Sequence, residues 1–282
     1  MSRRLALITG ASSGIGLALA REYAANGWDL ALVARREDRL RAHSSALEES
    51  YGIDVLVIPA NLNESGAPQA ILNAIEADDR QVDALINNAG FGLPGTYAQT
   101  RWQEQADFIQ LMLTSYCELA HRVLPGMQAR GFGRIVNIAS VAGLVPGTFG
   151  HTLYSAVKSA LIKFSESLHL ENKTTGVHVT AVCPGLTYSE FHDVNGTRDK
   201  VSTLPKFWWL SAEEVAVDAY AASQANKPVT VPGLWWKFLT GLYKILPHSL
   251  ALAMTARQSA KLRNTDPGSE TKPQTDTDPE TS

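Results

Sequence analysis

Cysteine is nearly absent from this chain: Cys117 and Cys183 are all there is in 282 residues. Two such distant thiols cannot make a disulfide framework or a zinc set, and His121, His169 and His178 lack metal-ligand spacing, so no metal site is expected. Free thiols suit a reducing compartment, and the expectation is a cytoplasmic protein. Long apolar runs are missing too. None reaches the ~18 residues of a membrane span, and residues 234–246 come nearest. After Met1-Ser2-Arg3-Arg4 the apolar run covers only residues 5–8, too short for a secretory signal. A strong charge balance is also lacking. The net charge is −3, and the acid-rich residues 264–282 alone carry −4, which leaves about +1 elsewhere, so nucleic acid is not an implied partner. Those last residues contain no aliphatic or aromatic side chain and are expected to be disordered. What remains is ordinary for a globular domain, at 45% hydrophobic and 19% charged.

Residues 5–8 form a short apolar run of the kind that makes a buried parallel strand, and Thr9-Gly10-Ala11-Ser12-Ser13-Gly14-Ile15-Gly16 follows before an amphipathic stretch. Strand, glycine loop and helix in that order can receive a pyrophosphate on free N–H groups and the positive end of the helix. A purely structural glycine turn would read the same way. Gly10-Ala11-Ser12-Ser13-Gly14 also fits the nucleophile elbow of a hydrolase with Ser12 as nucleophile, but no strand precedes it to carry an oxyanion loop. The second strand, residues 29–34, ends in Ala34-Arg35-Arg36, where a dinucleotide's adenosine ribose would lie. No carboxylate stands there to hold a 2′-hydroxyl, and guanidiniums can pair with a 2′-phosphate. NADP(H) is therefore the expected cofactor, with Arg35 as its selector. Further strands over residues 53–58, 83–86, 133–138 and 177–183 alternate with helical stretches, which implies a parallel sheet with ligands at the strands' carboxyl ends. Residues 104–130 read as one long helix, bent at Pro125-Gly126.

Tyr154-Ser155-Ala156-Val157-Lys158 is the centre of the functional reading. One helical turn puts Tyr154 and Lys158 on one face, where an ammonium can favour the phenolate and bring a phenol into working range. Ser140, at the end of the fifth strand, can donate to a substrate oxygen while Tyr154 exchanges the proton. Alone, a Tyr-x-x-x-Lys spacing is far more often a half-exposed Tyr beside a solvated Lys.

With these pieces in order, residues 4–232 resemble the classical short-chain dehydrogenase/reductase family. The resemblance rests on Thr9-Gly10-x-x-x-Gly14-Ile15-Gly16, Asn87-Asn88-Ala89-Gly90, Ser140, Tyr154-x-x-x-Lys158 and Pro184-Gly185. It implies one doubly wound Rossmann domain of the α/β class over residues 1–232, with seven parallel strands, the last near Val229-Thr230-Val231. It also implies catalysis by Ser140, Tyr154 and Lys158, and cofactor binding by Gly10, Ser12, Ser13, Gly14, Ile15, Gly16, Arg35, Asn61, Leu62, Asn88, Ala89, Gly90, Tyr154, Lys158, Pro184, Gly185, Thr187 and Ser189. Two departures stand out. Asn61 occupies the place of a family Asp that meets adenine, and its amide oxygen can still accept. Met112 stands where the family has an Asn that supports a water relay, and a thioether cannot replace its donors.

Four of the six tryptophans lie in Phe207-Trp208-Trp209-Leu210 and Leu234-Trp235-Trp236-Lys237-Phe238-Leu239, late in the chain where the family varies to recognise substrate. They suggest an apolar or lipid-like carbonyl or alcohol as the substrate. Residues 233–263 read as a helical extension whose first helix opposes Lys237, Thr240 and Lys244 to Trp235, Phe238, Leu239, Leu242, Ile245 and Leu246, a pattern open to membrane contact, subunit packing or cleft closure. The expected function is an NADPH-dependent carbonyl reductase or alcohol dehydrogenase, in a family where homo-oligomers are common. The competing reading is a weakly catalytic NADP(H) sensor or membrane-associated scaffold.

Overall fold

The computed structural model describes residues 3–93, 96–150, 152–188 and 205–262. Ser189, His151 and the tail 264–282 lie outside the described residues. Seven strands, β1 Leu5–Thr9, β2 Asp29–Ala34, β3 Val55–Pro59, β4 Val82–Asn87, β5 Gly133–Ile138, β6 Val177–Val182 and β7 Val229–Thr230, pair in parallel in the order β3-β2-β1-β4-β5-β6-β7. The sheet is buried on both sides, which is why β1 reads as an unbroken apolar run. Leu5 and Leu7 enter one core and Ala6 and Ile8 the other, because successive side chains leave a strand on opposite faces.

Nine helices are described: α1 Gly14–Ala25, α2 Glu37–Tyr51, α3 Ala67–Ala77, α4 Trp102–Ile109, α5 Ser115–Ala129, α6 Thr152–Glu171, α7 Ala212–Gln224, α8 Leu234–Ile245 and α9 His248–Leu262. On one face Ile71 and Ile75 of α3, Leu119 of α5 and Leu161 of α6 meet the sheet. Leu19 and Tyr23 of α1, Leu40 of α2 and Val215 of α7 fill the other. Strand order reverses between β1 and β4, so a crevice opens beyond their carboxyl ends, where such sheets bind ligands. Among the described residues no helix is long and apolar enough to cross a membrane.

The long helix expected over residues 104–130 is divided. Its break is not at Pro125, which stays inside α5, but at a five-residue π turn, Gln110–Thr114, between α4 and α5. There the amide of Ser115 reaches back to the carbonyl of Gln110, one residue further than the α-helical ladder allows. Met112, fully buried, sits in this turn.

Candidate active site

The glycine loop runs from the end of β1 into α1, and its shape needs residues without side chains. Gly10 has φ +69°, and a Cβ on it would lie 2.8 Å from the Cα of Ala89. A Cβ on Gly16 would overlap the carbonyl of Gly10 and the side-chain amide of Asn88. Asn88 explains the tightness. Its Nδ2 donates to the carbonyl of Thr9 at 2.9 Å, and its own N–H donates to the Thr9 hydroxyl at 2.9 Å, so β4 and β1 are tied together where the crevice begins. Asn87 works one layer deeper, donating to Asn137 at 2.9 Å, and Asn137 donates to Ser165 at 2.9 Å. The first turn of α1 has no acid and no capping side chain, which leaves the positive end of the helix to a ligand.

Ser140 follows β5. Its Oγ accepts from the amide of Ala142 at 3.1 Å and shares a hydrogen bond with the Tyr154 hydroxyl. Lys158, one turn along α6 from Tyr154, is buried, and its Nζ donates to the carbonyl of Ile138 at 2.7 Å while lying 5.7 Å from the centre of the Tyr154 ring. Pro184, Gly185 and Thr187 follow β6, with the Thr187 hydroxyl donating to the carbonyl of Gly185 at 3.1 Å. One cleft of about 480 Å³ joins the pieces. Ser140, Tyr154 and Lys158 line it, and so does every cofactor-site residue expected from the sequence apart from Gly16 and the undescribed Ser189. Gly16 acts from behind the wall, where it lets α1 close on Gly10 and Asn88.

Two contacts in the cleft go beyond the sequence reading, which offers Arg36 only as a second guanidinium near the 2′-phosphate. Arg36 is not among the expected cofactor residues beside Arg35, yet its guanidinium donates to the hydroxyls of Ser12 at 3.0 Å and Ser13 at 3.2 Å, bridging the loop to the end of β2. Its place directly after Arg35 is the one signal that points to it. Trp236 of α8 reaches back over the nicotinamide end of the expected site: a Cβ on Gly185 would collide with its indole, whose Nε1 donates to the carbonyl of Trp208 at 2.9 Å. No local pattern announces that contact.

Residues 4–199 match the family model described as short chain dehydrogenase. The chain belongs to the short-chain dehydrogenase family. It is an oxidoreductase by that membership. Among its relatives is the very-long-chain 3-oxoacyl-CoA reductase of Anas platyrhynchos, 35% identical over 264 residues, which cover 92% of this chain and 80% of that protein. Among solved structures, a short-chain dehydrogenase from Sphingobium yanoikuyae in complex with NADPH is 34% identical, with a TM-score of 0.76 over 86% of this chain and 96% of its own. A bulky-bulky ketone specific alcohol dehydrogenase from Comamonas testosteroni is 31% identical, with a TM-score of 0.72 over 88% and 97%.

The charge states of this dehydrogenase site differ from the sequence expectation, in which Lys158 draws the Tyr154 phenol downward. Burial instead holds Tyr154 above the usual tyrosine value, with the Ser140 hydrogen bond offsetting part of the rise, so the phenol keeps its proton at neutral pH. Burial lowers Lys158 to about 8, and it pushes the Cys183 thiol up to about 12. The consequence for stability has a definite sign. Between about pH 8 and the unfolded lysine value of 10.5, the unfolded chain holds a proton that folded Lys158 has released, so stability contributed at this residue rises with pH. In urea denaturation without dinucleotide, native protein should therefore gain stability relative to Lys158→Met as pH goes from about 7 to about 10. A difference between the two proteins that stays constant with pH would contradict the assignment.

Proposed function

We propose that this enzyme reduces an apolar, lipid-like ketone or aldehyde with NADPH, or runs the reverse alcohol oxidation. One observation carries the reading: Ser140, Tyr154 and Lys158 converge in the same cleft as the glycine loop and the Arg35-Arg36 pair. The loop from Gly10 to Gly16 would hold the pyrophosphate, Arg35 and Arg36 the 2′-phosphate, and Asn61, Leu62, Asn88, Ala89 and Gly90 the adenosine side. Lys158, Pro184, Gly185 and Thr187 would hold the nicotinamide end. When bound, NADPH supplies the hydride for the carbonyl carbon.

Ser140 and Tyr154 address the carbonyl oxygen together. Ser140 donates a hydrogen bond to the charge that develops there, and Tyr154, protonated at neutral pH, hands its proton to the forming alkoxide and is reprotonated from solvent. The buried lysine beside it stabilises the phenolate left after the transfer. Trp236 and Phe91 in the cleft wall favour an apolar substrate, as do the acyl-CoA and bulky ketone substrates named for the duck and Comamonas relatives. We take residues 1–232 as the catalytic unit and residues 233–263 as an extension that completes the cleft. The free thiols favour a cytoplasmic setting, and a homo-oligomer fits the family.

Met112 favours a second reading, an NADP(H)-binding sensor or scaffold of little turnover, because its side chain offers no donor to a water relay. Loss of NADPH fluorescence with a panel of aldehydes, ketones and acyl-chain carbonyls separates the two: turnover supports the reductase, and tight NADPH binding with no turnover on any of them supports the sensor. Coenzyme choice is a separate expectation. NADPH should bind at least about tenfold ahead of NADH, and the double variant Arg35→Ala, Arg36→Ala should erase most of that preference. Equal affinity for the two coenzymes in the native protein would refute the roles given to both arginines.

A further inference from the structure

The sequence pattern of helix α8 makes Lys237, Thr240 and Lys244 its polar side. The structure turns it differently. Trp236, Thr240 and Tyr243 are buried, with the Thr240 hydroxyl satisfied by the carbonyl of Trp236 at 2.7 Å and the Tyr243 hydroxyl joined to Thr255 of α9 at 3.3 Å. The outward stripe is apolar: Leu234, Phe238 and Ile245 are 84%, 63% and 79% exposed. Positions four and seven apart share a helix face, so these three form a line, with exposed Lys237 and Lys244 along one edge. Phe207, 64% exposed, prolongs the patch through Trp235, whose ring lies 5.3 Å from Phe207 and 6.0 Å from Phe238.

Charge decides what covers this patch. Between Asp218 and Asp266 the sequence contains no acidic residue, yet it carries Lys227, Lys237, Lys244, Arg257, Lys261 and Arg263, in a chain whose net charge is −3. A symmetric contact with a second copy would bring lysines toward lysines with no carboxylate of this stretch to neutralise them. The chain's own acidic end, residues 264–282, has no aliphatic or aromatic side chain to lay on the stripe. A surface that is apolar inside and anionic outside satisfies both halves of the patch.

We propose that α8 docks peripherally on an anionic bilayer. Leu234, Phe238, Ile245 and Phe207 enter the boundary between headgroups and acyl chains, while Lys237 and Lys244 pair with lipid phosphates. Trp236 leaves the opposite side of the same helix and lines the cleft, so one helix, about 10 Å across, separates lipid from the catalytic chamber. The docking does not depend on the reductase reading, and its test uses no turnover.

The full chain is mixed with vesicles of phosphatidylcholine alone or of phosphatidylcholine with phosphatidylglycerol, and flotation is measured at about 0.05 and about 0.5 M salt. Native protein should float with the anionic vesicles and weaken with salt. Lys237→Gln and Lys244→Gln should each cost about fivefold in partitioning. Phe238→Ser combined with Ile245→Ser should cost at least about tenfold. These side chains are exposed, so the variants should keep the native circular dichroism and thermal midpoint, and a variant that does not is replaced by Leu234→Ser. No flotation of the native protein overturns the proposal. So does equal flotation with neutral vesicles, or a concentration-dependent dimer that the Phe238→Ser, Ile245→Ser variant dissolves without any vesicle binding.

Discussion

Tyr154→Phe should lower turnover by at least about 100-fold while leaving NADPH affinity within about twofold. The substitution removes one oxygen atom and keeps the ring, which packs against Phe108 with centroids 6.3 Å apart. Ser140 loses a partner but remains anchored by the amide of Ala142, so the geometry around the carbonyl should survive. What disappears is the proton. The variant's phenyl ring has none to give, and the alkoxide must take one from another donor. Because the proposed site assigns NADPH binding to the glycine loop, the arginines and Lys158, a loss confined to kcat would separate proton transfer from cofactor positioning. A parallel measurement on Ser140→Ala should show a drop as well, smaller if Tyr154 can still reach the oxygen. Near-normal kcat in Tyr154→Phe would mean that another group delivers the proton, and the assignment of this site would fall.

Much of the site is legible in the sequence because its chemistry is local. The spacing from Gly10 to Gly16 encodes a turn that only short side chains permit, and Tyr154 with Lys158 needs only one helical turn to share a face. Strand ends are equally local, which is why the expected strands over residues 29–34 and 133–138 coincide with Asp29–Ala34 and Gly133–Ile138. What the sequence conceals depends on packing. The π turn at Met112 carries no local signal, whereas Pro125 offers the more obvious place for a bend. Thr240 looks polar on a helical wheel, but its hydroxyl is satisfied inside its own helix, so burying it costs little and the aliphatic side is left outside. Trp236 meets Gly185 only once β6 and α8 have both been placed. The direction of the Tyr154 shift is likewise collective: proximity of Lys158 is readable from spacing, while the larger effect of burial is not.

Gly16→Ala should weaken NADPH binding by at least about tenfold and lower the thermal midpoint, an effect of about 1–3 kcal/mol for one added carbon. The added Cβ would meet the carbonyl of Gly10 and the amide of Asn88, and neither is the yielding tip of a surface side chain. Asn88 is engaged with Thr9 at 2.9 Å, and the N–H of Gly10 is held by the carbonyl of Val33 at 2.8 Å. To make room, the loop must move away from α1 or β4 must slip against β1, and either opens the cradle in which the pyrophosphate should sit. Gly241→Ala is the control. A Cβ there meets nothing within 4 Å, so in the middle of α8 it should leave NADPH binding alone and gain up to ~1 kcal/mol from helix propensity. Added NADPH should raise the midpoint of native protein and of Gly241→Ala equally, and that of Gly16→Ala much less, because ligand stabilisation follows affinity. If Gly16→Ala binds NADPH as tightly as the native chain, the cradle lies elsewhere in the cleft and the glycine loop is a structural turn only.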